Sequence, residues 1–229
     1  MIETIDQIDI ETLDLEELNK EYELLSPEER LDRLYVDFPK DLIMATSSFA
    51  ATSALLLKLI SQACPDQTIN FIDTGYHFPE THQYLGELKS LLNLNVEATA
   101  AESWRNEFTT KDKTWEKDPN FCCSVNKVEP LERIKSQNKI WISGLMSWQS
   151  DHRSTLNIFE KRGAVLKFYP LLDMTKAERD TFIADQKLPF HPLVSQGYAS
   201  IGCTHCTVPG DDRDGRWNNH PKTECGLHL

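Results

Sequence analysis

Apolar positions along the chain follow two periodicities that take turns. Leu13, Leu15, Leu18, Tyr22 and Leu25 form an approximate helical stripe in an acidic N-terminal segment. Ser26-Pro27-Glu28-Glu29 then reads as an N-cap, a proline at the first helical position and acids in the first turn, opening a helix that presents Leu31 and Leu34. From residue 42 short apolar runs take over: Leu42–Thr46, Thr68–Ile72, Leu94–Ala98, Lys139–Leu145 and Val165–Tyr169 read as five strands. Between them, Ala51–Ile60 and Pro79 to about Leu92 carry helical patterns. Thr175-Lys176-Ala177-Glu178 fits a capping box for a helix that ends near Lys187. Strands alternating with helices imply crossover units and a mostly parallel sheet covered on both faces.

In such α/β sheets ligands sit beyond the carboxyl ends of the strands. Ser47-Ser48, Asp73-Thr74-Gly75 and the segment after Ser143-Gly144 all fall at such ends. The last 40 residues are rich in Gly, Pro, His and Asp and read as an irregular arm held by side-chain chemistry. The expected organisation is an acidic helical arm over residues 1–40, an α/β body over 41–190 and a C-terminal segment over 191–229, together one structural domain.

The 229 residues suffice for a substantial core, and 40% hydrophobic with 26% charged residues is ordinary for a globular protein. No stretch approaches the roughly 18 uncharged apolar residues of a membrane helix. Met1-Ile2-Glu3-Thr4-Ile5-Asp6 lacks the basic flank and apolar run of a secretion signal, so a cytoplasmic protein is expected. The net charge is −12, and residues 1–35 hold most of it, with 12 acidic side chains against Lys20, Arg30 and Arg33. This acidity argues against a nucleic-acid-coating protein but leaves the rest of the chain free to bind a small anion.

Six cysteines change the picture, because in a cytosolic chain they favour metal binding or thiol chemistry over disulfides. Cys64, closing an amphipathic helix before Pro65, reads as a buried structural residue. Cys203-Thr204-His205-Cys206 is a C-x-x-C pair, and Cys122-Cys123 is a vicinal pair. Iron–sulfur, zinc and unligated thiols are all compatible with these spacings. Two adjacent cysteines sit awkwardly on one tetrahedral ion and more naturally on neighbouring irons of a cubane. Cys225 lies in the terminal Lys222-Thr223-Glu224-Cys225-Gly226-Leu227-His228-Leu229. It is either a mobile nucleophile, with His228 and nearby cations favouring its thiolate, or an incidental surface thiol.

Taken together, several motifs resemble the thioredoxin-dependent assimilatory sulfonucleotide reductases, specifically the cluster-bearing adenylyl-sulfate (APS) reductases. They are Asp73-Thr74-Gly75-Tyr76-His77-Phe78-Pro79-Glu80-Thr81, Cys122-Cys123 with Lys127-Val128-Glu129-Pro130-Leu131, Gly202-Cys203-Thr204-His205-Cys206-Thr207, Gly215-Arg216-Trp217, and Glu224-Cys225-Gly226-Leu227-His228. The resemblance implies an adenine-nucleotide α-hydrolase-like fold and a [4Fe–4S] cluster on Cys122, Cys123, Cys203 and Cys206. It implies that Cys225 is the nucleophile, that APS (or its 3′-phosphorylated form, PAPS) is the substrate, and that thioredoxin or glutaredoxin is the reductant. Members of the family also commonly self-associate. Substrate contacts are expected from Ser47, Ser48, Phe49, Asp73, Thr74, Gly75, Lys127, Arg153, Arg213, Arg216 and His228.

The chain departs from the family pattern in three places. Ser48-Phe49-Ala50 replaces the usual Ser-Phe-Gly, which argues against an ATP-pyrophosphatase type of sulfur-transfer enzyme, whose glycine-rich loop grips pyrophosphate. Asn126 stands where a basic residue often precedes the motif lysine. The stretch from Leu145 to Arg153 keeps Arg153 but has lost upstream positive charge. Fewer cations suit APS over PAPS, and a PAPS or dual-specificity reductase is the alternative expectation.

Overall fold

The computed structural model describes residues 10, 12–217, 220, 222 and 224–227. Its centre is a six-stranded sheet of order β3-β2-β1-β4-β6-β5, with β1 Ile43–Thr46, β2 Thr68–Asp73, β3 Asn95–Ala100, β4 Ile140–Ile142, β5 Phe159–Arg162 and β6 Val165–Phe168. Every neighbouring pair is parallel except β5 and β6. Successive strands step outward from β1 to β3, and the chain then returns to place β4 on the other side of β1. That reversal opens a crevice at the carboxyl ends of β1 and β4.

The five expected strands are present, and β5 is an addition. Its sequence, Phe159-Glu160-Lys161-Arg162, has too little apolar content to announce a strand; pairing with β6 and cover from the N-terminal segment make it one. Asn19, on the helix Leu15–Glu23, accepts from the Phe159 amide (2.8 Å) and donates to its carbonyl (3.1 Å), which blunts the sheet edge. Tyr22 of the same helix is fully buried, with edge contacts to Phe159 and Phe168. Leu31 and Leu34 of the helix Pro27–Asp37 enter the same core, as their spacing predicts. Arg30 is buried among the Tyr22 and Pro170 carbonyls and the Asp173 carboxylate, tying the N-terminal segment to the loop after β6.

The expected caps form. The Ser26 hydroxyl accepts from the Glu29 amide while the Glu29 carboxylate accepts from the Ser26 amide, and Thr175 and Glu178 repeat the pattern at the helix Lys176–Asp185. Cys64 differs from expectation. It is half-buried at the end of the helix Ser53–Ala63, where the chain turns toward Asp66 and the thiol donates to that carboxylate. Among the described residues no helix is long and apolar enough to cross a membrane.

His191 joins the C-terminal segment to the helix Pro79–Leu91. It is buried, its Nδ1 accepts from the Leu193 amide (3.2 Å), and its Nε2 lies 3.0 Å from the Thr81 hydroxyl. An acceptor at Nδ1 requires the neutral ring, and burial lowers the pKa from 6.5 to about 4. A histidine with a depressed folded-state pKa contributes stability fully above the unfolded pKa and loses it as pH falls through the folded one. Urea titration at pH 7 and pH 4.5 should therefore show the wild type losing about 2 kcal/mol more than His191→Gln between the two conditions.

Candidate functional site

The crevice between β1 and β4 deepens into a cavity of about 540 Å³, a size suited to a nucleotide-scale ligand. Thr46, Ser47 and Ser48 after β1 line it, as do Ser143, Gly144 and Leu145 after β4. Cys225 lines it too, together with Lys127, Arg153, Arg213 and Arg216. Residues 70 or more apart in sequence thus meet in one space.

Four of the residues expected to contact substrate are not among those lining this cavity. Phe49 is 0% exposed and turns its ring into the core against Phe71. Its backbone has φ +47°, and its amide donates to the Ser47 hydroxyl (3.1 Å), so the tight turn shows Ser48 and Ala50, not Phe49, to the cavity. Asp73, Thr74 and Gly75 are not among the lining residues: the Asp73 carboxylate accepts from the Gly75 amide (2.9 Å), and the Thr74 hydroxyl lies 3.4 Å from the Cys203 sulfur. The carboxyl end of β2 therefore faces both ways, with Ile72 and His77 lining the large cavity and Thr74 directed at Cys203. His228 lies outside the described residues.

Glu224, 3% exposed, neutralises part of the cavity's positive charge. Arg153 donates to it through Nε (2.9 Å) and Nη2 (3.0 Å), and Arg213 through Nη2 (3.2 Å). Although burial works the other way, these two guanidinium groups hold the Glu224 carboxyl below the usual carboxylate range. Arg216 is used differently. It lies against Trp217, and a Cβ at residue 202 would collide with its guanidinium, so Gly202 permits the approach. Its Nε is buried without a hydrogen-bond partner, while Nη1 reaches the Ile201 carbonyl at 3.3 Å. A buried cationic donor with spare capacity suits an anion arriving from the cavity.

A second compartment adjoins the first. Cys122, Cys123, Cys203 and Cys206 line one small pocket with Tyr76, Trp115 and His205, and all four thiols are free. The helix Pro119–Cys123 runs into a π-helical turn, Ser124–Val128, before the helix Glu129–Lys135 resumes. Such wide turns frequently mark functional sites. This one turns both Asn126 and Lys127 inward. Asn126 donates to the Cys122 carbonyl and the Thr109 hydroxyl (both 3.0 Å) and accepts from Asn106 (2.8 Å). It lines the cysteine pocket and not the large cavity. Lys127 lines both compartments. Burial disfavours its charge, but attraction to the Cys203, Cys123 and Cys225 sulfurs outweighs that and raises its pKa. Cys203 is correspondingly depressed against its own burial by Lys127, Thr74 and Arg216, whereas burial and the neighbouring sulfurs push Cys122 to about 12.

Four soft thiol donors with no carboxylate among them suit iron–sulfur or zinc. Among the described residues no three His, Cys, Asp or Glu side chains converge on a single-ion site. Sequence reasoning missed several cavity residues. Arg179 and Phe190 line it without any motif to announce them, while Trp148, Lys176 and His77 do so from stretches singled out for other reasons. Lys176 pairs with Asp212 (3.1 Å) and Arg179 with Asp180 (2.7 Å), so neither cation stands uncompensated.

Residues 42–209 match the family model described as the phosphoadenosine phosphosulfate reductase domain. A protein of Bacillus mycoides named adenosine 5′-phosphosulfate reductase is 38% identical over 199 residues, covering 83% of this chain and 85% of the relative. One of the same name from Staphylococcus epidermidis is 39% identical over 204 residues, covering 85% and 84%. Among solved structures, phosphoadenylyl-sulfate reductase of Candida auris, in a phosphate complex, superposes with TM-score 0.73 at 28% identity, covering 84% of this chain and 95% of that one. FMN adenylyltransferase of Candida glabrata, with FMN and an ATP analogue, gives 0.58 at 14% identity over 85% and 71%, a likeness of fold alone. The expected adenine-nucleotide α-hydrolase-like fold is thus the fold of this chain.

Because Glu224 compensates the buried guanidinium of Arg153 and the partly buried one of Arg213, its removal leaves like charges facing each other. Glu224→Ala should lose about 3 kcal/mol in urea titration, and added inorganic sulfate should restore part of that in the variant while affecting wild type less.

Proposed function

Because the chain belongs to the phosphoadenosine phosphosulfate reductase domain family, we propose that it reduces adenosine 5′-phosphosulfate to sulfite and AMP, with Cys225 as nucleophile. The observation that carries this reading is Cys225 lining the same cavity as Lys127, Arg153, Arg213 and Arg216, at the sheet's switch point. A lone surface thiol would have no reason to share a nucleotide-sized cavity with four cations.

The Cys225 thiolate attacks the sulfate sulfur, forming an S–S bond as the bond from sulfur to the bridging oxygen breaks. AMP leaves with that electron pair, and the enzyme retains an S-sulfocysteine. A dithiol reductant of the thioredoxin or glutaredoxin class then attacks the Cys225 sulfur and expels sulfite. Its second thiol closes the reductant's disulfide and returns Cys225 as a thiol. The two electrons come from the dithiol. Charge builds on the leaving phosphate and around sulfur, so cations already oriented around the cavity lower the barrier without reorganising. Arg216, with its unpartnered Nε, and Lys127 are suited to that task. Ser47 and Ser48, after β1, are suited to the adenylyl phosphate, and His228 remains a candidate for the sulfate group. Free thiols throughout suit a reducing compartment such as the cytoplasm.

Cys122, Cys123, Cys203 and Cys206 would hold a [4Fe–4S] cluster, in keeping with four thiols around one pocket and two of them adjacent in sequence. When bound, the cluster supplies a charged, polarisable neighbour for Lys127. Lys127 couples this pocket to the cavity, Thr74 offers a hydroxyl to Cys203, and Asn126 an amide to Cys122.

A sulfite-release assay with thioredoxin tests the reading, with APS expected to outperform PAPS; the reverse order would make this a PAPS reductase. Cys225→Ser should abolish sulfite formation while iron content and AMP binding persist, and retained turnover would remove Cys225 from the mechanism. Cys203→Ser should instead lose iron and acid-labile sulfide. Colourless, zinc-containing wild-type protein would refute the cluster.

A further inference from the structure

Lys167 is a buried cation that the proposed chemistry does not use. It occupies β6, every residue of which is buried, and is 2% exposed. A lysine inside a sheet is costly unless its ammonium finds partners. Glu160 stands directly across the β5–β6 pair, but its carboxylate is engaged with the Asn157 amide (2.9 Å), the Asn157 side chain (3.0 Å) and Arg162 (3.6 Å). Among the described residues Lys167 forms no ion pair. Its Nζ lies 4.9 Å from the Trp141 ring centroid and donates to the backbone carbonyl of Leu227 at 3.3 Å.

Leu227 is two residues beyond Cys225. Its side chain packs on the same Trp141, with Met44 and Leu131. The tail is therefore held there twice, by an apolar contact and by a charge-assisted hydrogen bond, both centred on neighbouring residues of β4 and β6. On the other side of the nucleophile, Glu224 is clamped by Arg153 and Arg213. Only Cys225 and Gly226 lie between the two anchors, and Gly226 takes φ +89°, a conformation that a side chain would strain. The three residue steps from Glu224 to Leu227 span at most about 11 Å of extended chain, so fixing both ends confines the sulfur.

We propose that Lys167 is a positioning residue that latches the C-terminal tail at Leu227 and so holds Cys225 toward the cavity. The proposal rests on Cys225 being the nucleophile. The charges that face the ammonium are Glu160 and Arg162 of β5 and Glu132 and Lys135 of the helix Glu129–Lys135. Burial, helped by Arg162 and Lys135 and opposed by the two glutamates, lowers its pKa to about 8, so the latch still carries its proton at neutral pH.

Lys167→Met keeps the apolar stem and removes the donor. Two measurements on the holo-protein test it. In a single turnover with saturating APS, intact-mass detection of the Cys225 S-sulfo adduct should show formation slowed about tenfold, with AMP affinity unchanged. At fixed pH and without nucleotide, iodoacetamide should alkylate Cys225 several-fold faster than in wild type, with Cys225→Ser giving the background. Wild-type rates in both measurements would overturn the latch, and so would a loss of AMP affinity matching the loss of adduct formation, which would make Lys167 merely structural. If Lys167→Met does not fold, Leu227→Gly removes the apolar half of the latch while leaving every residue of the sheet itself unchanged. Unchanged alkylation in that variant overturns the proposal. A wild type that forms no adduct with APS would refute Cys225 as nucleophile, while the alkylation contrast still decides whether Lys167 holds the tail.

Discussion

An ammonium group removed from water gives up far more hydration than a single hydrogen bond returns, so a buried lysine constrains whatever surrounds it. Lys127 stands in that position, between a nucleotide-sized cavity and a pocket of four thiols. Attraction to the Cys203, Cys123 and Cys225 sulfurs keeps it charged, and the same attraction draws the Cys203 thiol toward its thiolate. The two compartments are therefore electrostatically one object. Moving the lysine or removing its sulfur partners alters both, and the π-helical turn that turns it inward is the backbone feature on which this coupling depends.

The C-terminal tail solves a related problem. A thiol in an irregular segment, if it is to act as the proposed nucleophile, has conformational freedom that must be removed before it can attack. Here the cost is met by groups that the fold already buries: Glu224 offsets the repulsion between Arg153 and Arg213, and Leu227 completes an apolar cluster on Trp141. Each anchor stabilises the body of the protein as it orders the tail. Glu224 also means that Arg153 and Arg213 are already compensated, leaving Arg216 and Lys127 as the cations most able to respond to an arriving anion.

The charge pattern of the cavity rests on geometry that composition does not convey. Asn126 replaces a cation in the motif, yet its amide is consumed by Cys122, Thr109 and Asn106 and never faces the cavity. Lys176 and Arg179 do face it, and each carries an aspartate partner.

The crossover architecture was legible in the sequence because buried parallel strands must be continuous apolar runs and their covering helices must be amphipathic; Ile43–Thr46 and Pro79–Leu91 follow directly. The cysteine groups and the terminal Glu-Cys-Gly-Leu stood out by their resemblance to the sulfonucleotide reductases, because spacing alone left iron–sulfur, zinc and unligated thiols open and left Cys225 either a nucleophile or a surface thiol. Three things required the tertiary structure. Strand β5 exists only through its pairing with β6 and its cover by Asn19, neither of which leaves a local signal. Phe49 belongs to the core rather than the cavity because a backbone turn with φ +47° reverses its direction. And Lys167, in sequence an ordinary lysine near the end of a strand, meets Leu227 sixty residues away because side-chain direction and long-range contact arise only once the chain is folded.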